Sequence, residues 1–228
     1  MKRAPIAVAL DAPDLETAAL WAQAVTPYVS VVKVGLELFC RFGPAVVDTV
    51  RGGSGVDLFL DLKLHDIPNT VAGAAKAVAG LKPTYLTVHA TGGRDMVRAA
   101  VEAAPDARIA AVTILTSLSE QVLTDVGLAG PPLDAVRRLA ALAVGAGARA
   151  LVCSPQEVAA VRAEVGAGIT LITPGVRPAG SASQDQARVA TPEQALADGA
   201  DLLVIGRPIT GAPDPGVAAA TIAAGLVA

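Results

Sequence analysis

The chain has 228 residues, of which 53% are apolar, 17% charged and 3% aromatic, and its formal net charge is −3. Its mean hydropathy of +0.53 invites a membrane reading, but the longest uncharged stretch, Thr17–Val32, is broken by Gln23, Pro27 and Ser30 and falls short of the roughly 18 apolar residues that a spanning helix needs. The mixed charges leave no basic footprint for nucleic acid, and Cys40 and Cys153 supply neither a disulfide framework nor metal-ligand spacing.

Aliphatic and β-branched runs alternate with Ala-rich segments of helical length. In chain order the expected elements are strand Ile6–Asp11, helix 14–25, strand Val29–Glu37, helix 39–51, strand Val56–Lys63, helix 70–80, strand Tyr85–Thr91 and helix 93–104. They continue with strand Arg108–Thr116, helix 133–147, strand Ala150–Ser154, helix 156–164, strand Thr170–Gly175, helix 192–198, strand Leu202–Gly206 and helix 215–226. Most of the strand runs are continuously apolar rather than alternating, as in a parallel sheet covered on both faces. Asp14 and Thr191 suit helix caps, and Pro192 suits a first turn. Both cysteines are expected as buried thiols. The start, Met1–Ile6, carries Lys2 and Arg3 but no long apolar run, so no signal peptide is expected, and a reducing cytoplasmic setting is the natural one.

This alternation predicts an α/β chain folded as a (β/α)8 TIM barrel, a single domain over 1–228. A doubly wound open sheet is the alternative. It would show a Gly-rich phosphate turn after the first strand, where this chain reads Leu10-Asp11-Ala12-Pro13-Asp14.

A barrel carries its chemistry at the C-terminal ends of its strands. Those ends hold Asp11; Lys33 and Glu37; Asp61 and Lys63, then His65 and Asp66; His89; Thr113 and Thr116; Arg177; and Arg207. Asp61 and Lys63 are two apart and point the same way on a regular strand. With Lys33 they form a Lys–Asp–Lys row. Such a row can simply neutralise itself in the core, but buried ion pairs stabilise little, and in a chain so sparing of charge a functional cluster is the sharper reading. The segment Ile172–Pro178 opens a polar loop, and 177–190 has the length of an active-site lid. Gln186, Gly206 and Arg207 are suitable phosphate donors after the last two strands; the alternative is a plain turn with a surface arginine. His89 reads as a histidine that orients its neighbours rather than as the catalytic base. No His and carboxylate cluster has metal-ligand spacing.

The string Asp61-Leu62-Lys63-Leu64-His65-Asp66-Ile67-Pro68-Asn69-Thr70 resembles the signature of the orotidine 5′-phosphate decarboxylase family, in its compact bacterial-type form. Ala9-Leu10-Asp11, Val32-Lys33-Val34-Gly35, Val88-His89-Ala90, Leu115-Thr116-Ser117, Thr173–Pro178 and Gly206–Ile209 resemble that family in the same order. The resemblance implies decarboxylation of orotidine 5′-monophosphate to UMP, the last step of de novo pyrimidine synthesis, with no metal and no organic cofactor. It implies a cytoplasmic homodimer in which Asp66 and Thr70 reach into the partner's site. By the same resemblance Lys63, Asp61, Lys33 and Asp66 form the catalytic set: Lys63 protonates C6 and Asp61 abuts the substrate carboxylate. Asp11 and Lys33 hold the ribose, Thr116 lies by the pyrimidine, and Arg177, Gln186, Gly206 and Arg207 serve the phosphate. The D-x-K-x-x-D core alone is shared with a wider group of barrels. A metal-dependent sugar-phosphate decarboxylase or aldolase and a non-catalytic phosphate-binding barrel therefore stand as alternatives.

Overall fold

Each of the eight apolar runs forms a strand, and all pair in parallel with their sequence neighbours until the last closes on the first. The strands are β1 (Ala4–Ala9), β2 (Val29–Gly35), β3 (Asp57–Leu64), β4 (Tyr85–His89), β5 (Arg108–Val112), β6 (Ala150–Val152), β7 (Thr170–Thr173) and β8 (Leu202–Ile205). The helices between and after them are α1 (Leu15–Val25), α2 (Leu36–Phe42), α3 (Ala45–Arg51), α4 (Pro68–Ala79), α5 (Gly93–Ala103), α6 (Glu120–Asp125), α7 (Pro132–Gly145), α8 (Val158–Val165), α9 (Pro192–Ala197), α10 (Arg207–Thr210) and α11 (Pro215–Ala224). This computed structural model describes residues 3–128, 130–178 and 190–226. The closed (β/α)8 barrel matches the expected fold. No helix among the described residues is long and apolar enough to cross a membrane.

The continuous apolar runs have a simple cause: each strand is buried on two faces. Ala7, Val31, Phe59, Tyr85, Ala110, Ala150, Ile172 and Leu202 fill the barrel interior. Their neighbours, such as Ile6, Val8, Leu58, Leu60 and Leu203, face the helices. Period-two alternation thus separates two cores rather than core from water. Phe59 and Tyr85 meet edge to face inside the barrel, with ring centroids 5.8 Å apart.

Local chemistry sets the helix ends. Asp14 Oδ1 accepts from the Thr17 N–H at 2.7 Å and caps α1, and Thr191 caps α9 by accepting from the Gln194 N–H. The expected helix over 39–51 is instead two helices. Gly43 at φ +62° ends α2, and Pro44, which has no N–H, starts the next turn. Because α2 begins at Leu36, Glu37 sits in a helical first turn rather than at a strand end. Cys40 lies on this short helix and is exposed, whereas Cys153 is buried. The short helices α6 and α10 fall in segments with no expected helix.

Candidate active site

The interior layers end in charge at the C-terminal mouth. Parallel register sets Lys33 beside Ala9 and Phe59, and Gly35 beside Asp61, so the inward positions of adjacent strands converge. The Lys33 ammonium lies 3.3 Å from one Asp61 oxygen and 3.8 Å from Asp11 Oδ1. The Lys63 ammonium lies 2.8 Å from the other Asp61 oxygen. The result is an alternating row Asp11–Lys33–Asp61–Lys63. Lys33 and Asp61 are buried, at 7% and 9% exposure. Burial pushes the Asp61 carboxyl upward, but Lys33 and Lys63 outweigh it, with hydrogen bonds from Lys63 and Thr87, and hold the group below the usual carboxylate range. Gly35 leaves room for the row: a Cβ there would lie 3.0 Å from both Asp11 Oδ1 and Lys33 Nζ.

Lys63 does not reach the row by regular strand alternation. The β3–β4 pairing slips between Leu60↔Leu86 and Leu64↔Val88, so four steps on β3 face two on β4. Lys63 sits in this bulge with φ +49°, a left-handed backbone that costs a non-glycine residue about 1–2 kcal/mol. Bulges of this kind re-aim side chains beside active sites. The displaced Lys63 N–H donates to Thr87 Oγ1 at 2.9 Å, and the Thr87 hydroxyl donates to Asp61 Oδ1 at 3.0 Å. Thr87 is fully buried. It is a site residue that sequence reasoning missed.

The charged row lines a cavity of about 490 Å³. Phe59, Val112, Val152 and Val204 supply apolar walls, and Thr116, Arg177, Gly206 and Arg207 lie along the rest of its lining. Arg177 is 8% exposed, and its Nη1 donates to the Val176 carbonyl at 2.9 Å. Its buried Nε has no hydrogen-bond partner among the described residues. Burial first, and the nearby Arg207 second, lower its pKa. Two guanidinium groups held together in this way suit a dianionic ligand. Arg207 follows Gly206 directly, at the start of α10. Val176 and Ala190 bridge at the base of the expected lid. Gln186 and the rest of 179–189 lie outside the described residues.

His89 closes β4 beside this mouth. Its ring centroid is 5.3 Å from that of His65, and burial, then His65, then Lys63 lower its pKa. Asp66 and Thr70 do not join the row. Both are exposed, and Asp66 Oδ1 accepts from the Ile67 N–H at 2.6 Å. Burial pushes the Cys153 thiol up to about 12, so this buried sulfur stays a thiol and is a poor nucleophile. The described residues contain no group of three or more His, Cys, Asp or Glu placed to hold a metal ion.

Closed parallel topology and a charged C-terminal mouth put the chain among (β/α)8 barrels that work at that face. The family model "Orotidine 5′-phosphate decarboxylase / HUMPS family" matches residues 4–222, and the chain belongs to that family. It is 75% identical to the orotidine 5′-phosphate decarboxylase of Thermobifida fusca over 223 residues, which cover 98% of this chain and 96% of the relative. It is 62% identical to that of Frankia casuarinae, over 99% of this chain and 89% of the relative. The crystal structure of orotidine 5′-phosphate decarboxylase from Lactobacillus acidophilus superposes with a TM-score of 0.85 at 37% identity, covering 99% of this chain and 100% of that one.

Proposed function

We propose that the protein decarboxylates orotidine 5′-monophosphate to UMP and CO2 in the cytoplasm, as the closing step of pyrimidine nucleotide synthesis, without metal or organic cofactor. One observation carries this reading: a lysine ammonium 2.8 Å from a buried aspartate, in a cavity that also holds two arginines. Loss of CO2 from C6 leaves a carbanion in the ring plane with little delocalisation, so electrostatics from the chain must stabilise it.

In this reading the residue roles are those that the family resemblance implies. The substrate carboxylate sits against Asp61. At ~4 Å and an effective dielectric near 20, the repulsion is about 4 kcal/mol, or roughly a thousandfold in rate. The larger contribution comes from the Lys63 ammonium, placed where negative charge grows at C6 and donating the proton that replaces CO2. Lys33 fixes Asp61 and, with Asp11, takes the ribose hydroxyls. Thr116 faces the pyrimidine. Arg177, Arg207, Gly206 and Gln186 take the phosphate, whose binding energy can be spent at the distant reacting centre. His89 orients its neighbours rather than acting as the catalytic base.

A homodimer completes the site in this reading. Residues 65–70 form an exposed run next to Lys63, with Ile67 64% exposed, so Asp66 and Thr70 are free to enter the site of a second copy. An absorbance assay with orotidine 5′-monophosphate tests the function after exhaustive dialysis against EDTA. UMP formation at an undiminished rate is expected. No turnover, or turnover that returns only with added Mg2+, would overturn the reading and favour the metal-dependent alternative.

A further inference from the structure

We infer that Thr87 is a positioning residue for the reaction, holding the strained backbone of Lys63 and the carboxylate of Asp61 in one hydrogen-bonded ring. The inference rests on the decarboxylase reading above. The bulge in β3 removes the Lys63 amide from the regular ladder to β4. A buried N–H without an acceptor is costly, and the lysine's φ of +49° adds to that cost. Thr87 Oγ1 answers the first problem by accepting from that amide at 2.9 Å.

The direction of the second bond follows from the first. A hydroxyl has one proton to give. With its oxygen occupied by the Lys63 amide, Thr87 turns that proton to Asp61 Oδ1, 3.0 Å away. The same carboxylate oxygen accepts from Lys63 Nζ at 2.8 Å. The ring therefore runs from the Lys63 amide through Thr87 and Asp61 back to the Lys63 ammonium. Both ends of one lysine are held by one threonine, directly at the backbone and through Asp61 at the side chain. Thr87 is fully buried, so water cannot readily replace it, and it is absent from the cavity lining. It acts through other residues rather than on the substrate.

This placement predicts a split between turnover and binding. Thr87→Val keeps the shape and removes both bonds. The full-length enzyme carrying it should lose about 10- to 100-fold in kcat for orotidine 5′-monophosphate, while KM and the Kd for UMP stay within about threefold. Thr87→Ser retains the hydroxyl and should recover most of the lost turnover. Should the valine variant not fold, Thr87→Ala is measured in its place against the same serine rescue. A valine or alanine variant with kcat within about threefold of the parent would overturn the inference, as would a serine variant as impaired as the valine. An inactive parent enzyme would instead fail the decarboxylase reading itself, so the two failures are distinguishable.

Discussion

The two mouths of the barrel are both polar, and they use polarity in opposite ways. At the N-terminal mouth, a cavity of about 240 Å³ is lined by Ser30, Asp57, Tyr85, Arg108, Thr170 and Asp201. Its charged groups have ordinary partners: Thr84 donates to Asp57 at 2.8 Å, the Arg108 guanidinium lies 5.9 Å from the Tyr85 ring centroid, and Asp201 pairs with Arg162 and accepts from the Leu171 N–H. At the C-terminal mouth, four charged side chains crowd into one row, two of them buried, and two arginines share the same cavity. Polar lining alone does not make a site. Desolvated charges converging on one cavity, beyond what stability requires, do.

Variants at the two ends should therefore separate cleanly. After Lys63 itself, the largest effect belongs to Lys33→Ala, which leaves buried Asp61 with one cation: kcat is expected to fall by about 10²–10³, read by the absorbance assay, and the melting temperature should fall as well. Arg177→Ala comes next. It should lower kcat/KM for the nucleotide by about 10- to 100-fold, yet leave the slow reaction of orotidine without its phosphate nearly unchanged. The smallest effect is at the other mouth. Arg108→Ala should leave turnover alone and lower the melting temperature by ~1–4 °C by calorimetry, since exposed cation–π contacts are worth about 0.5–1 kcal/mol. A loss of turnover there would erase the contrast.

The barrel was legible because its strands bury two faces, so eight apolar runs stand out against Ala-rich helices. The row Lys33–Asp61–Lys63 was legible because charge is rare in those runs and parallel neighbours share a face. The route by which Lys63 joins it was not. A lysine in a β-rich run carries no turn signal, and its left-handed backbone is imposed by the slip against β4. Thr87 was hidden for a related reason: threonine is a common strand former, and its hydroxyl matters only once the bulge frees an amide. The break between α2 and α3 was written in Gly43-Pro44, a strong punctuation signal, which the apolar periodicity on either side obscured. Asp66 and Thr70 carry a motif yet face outward in the single chain; in the proposed homodimer their role depends on a surface that a second copy supplies.

In the proposed reaction Lys63, held by Asp61, performs the chemistry at the C-terminal mouth. The direct measurement is UMP formation from orotidine 5′-monophosphate by Lys63→Ala beside the parent enzyme, with folding matched by circular dichroism. A folded variant is expected, with turnover reduced by about 10³-fold or more. Turnover within about tenfold of the parent would contradict that role of Lys63.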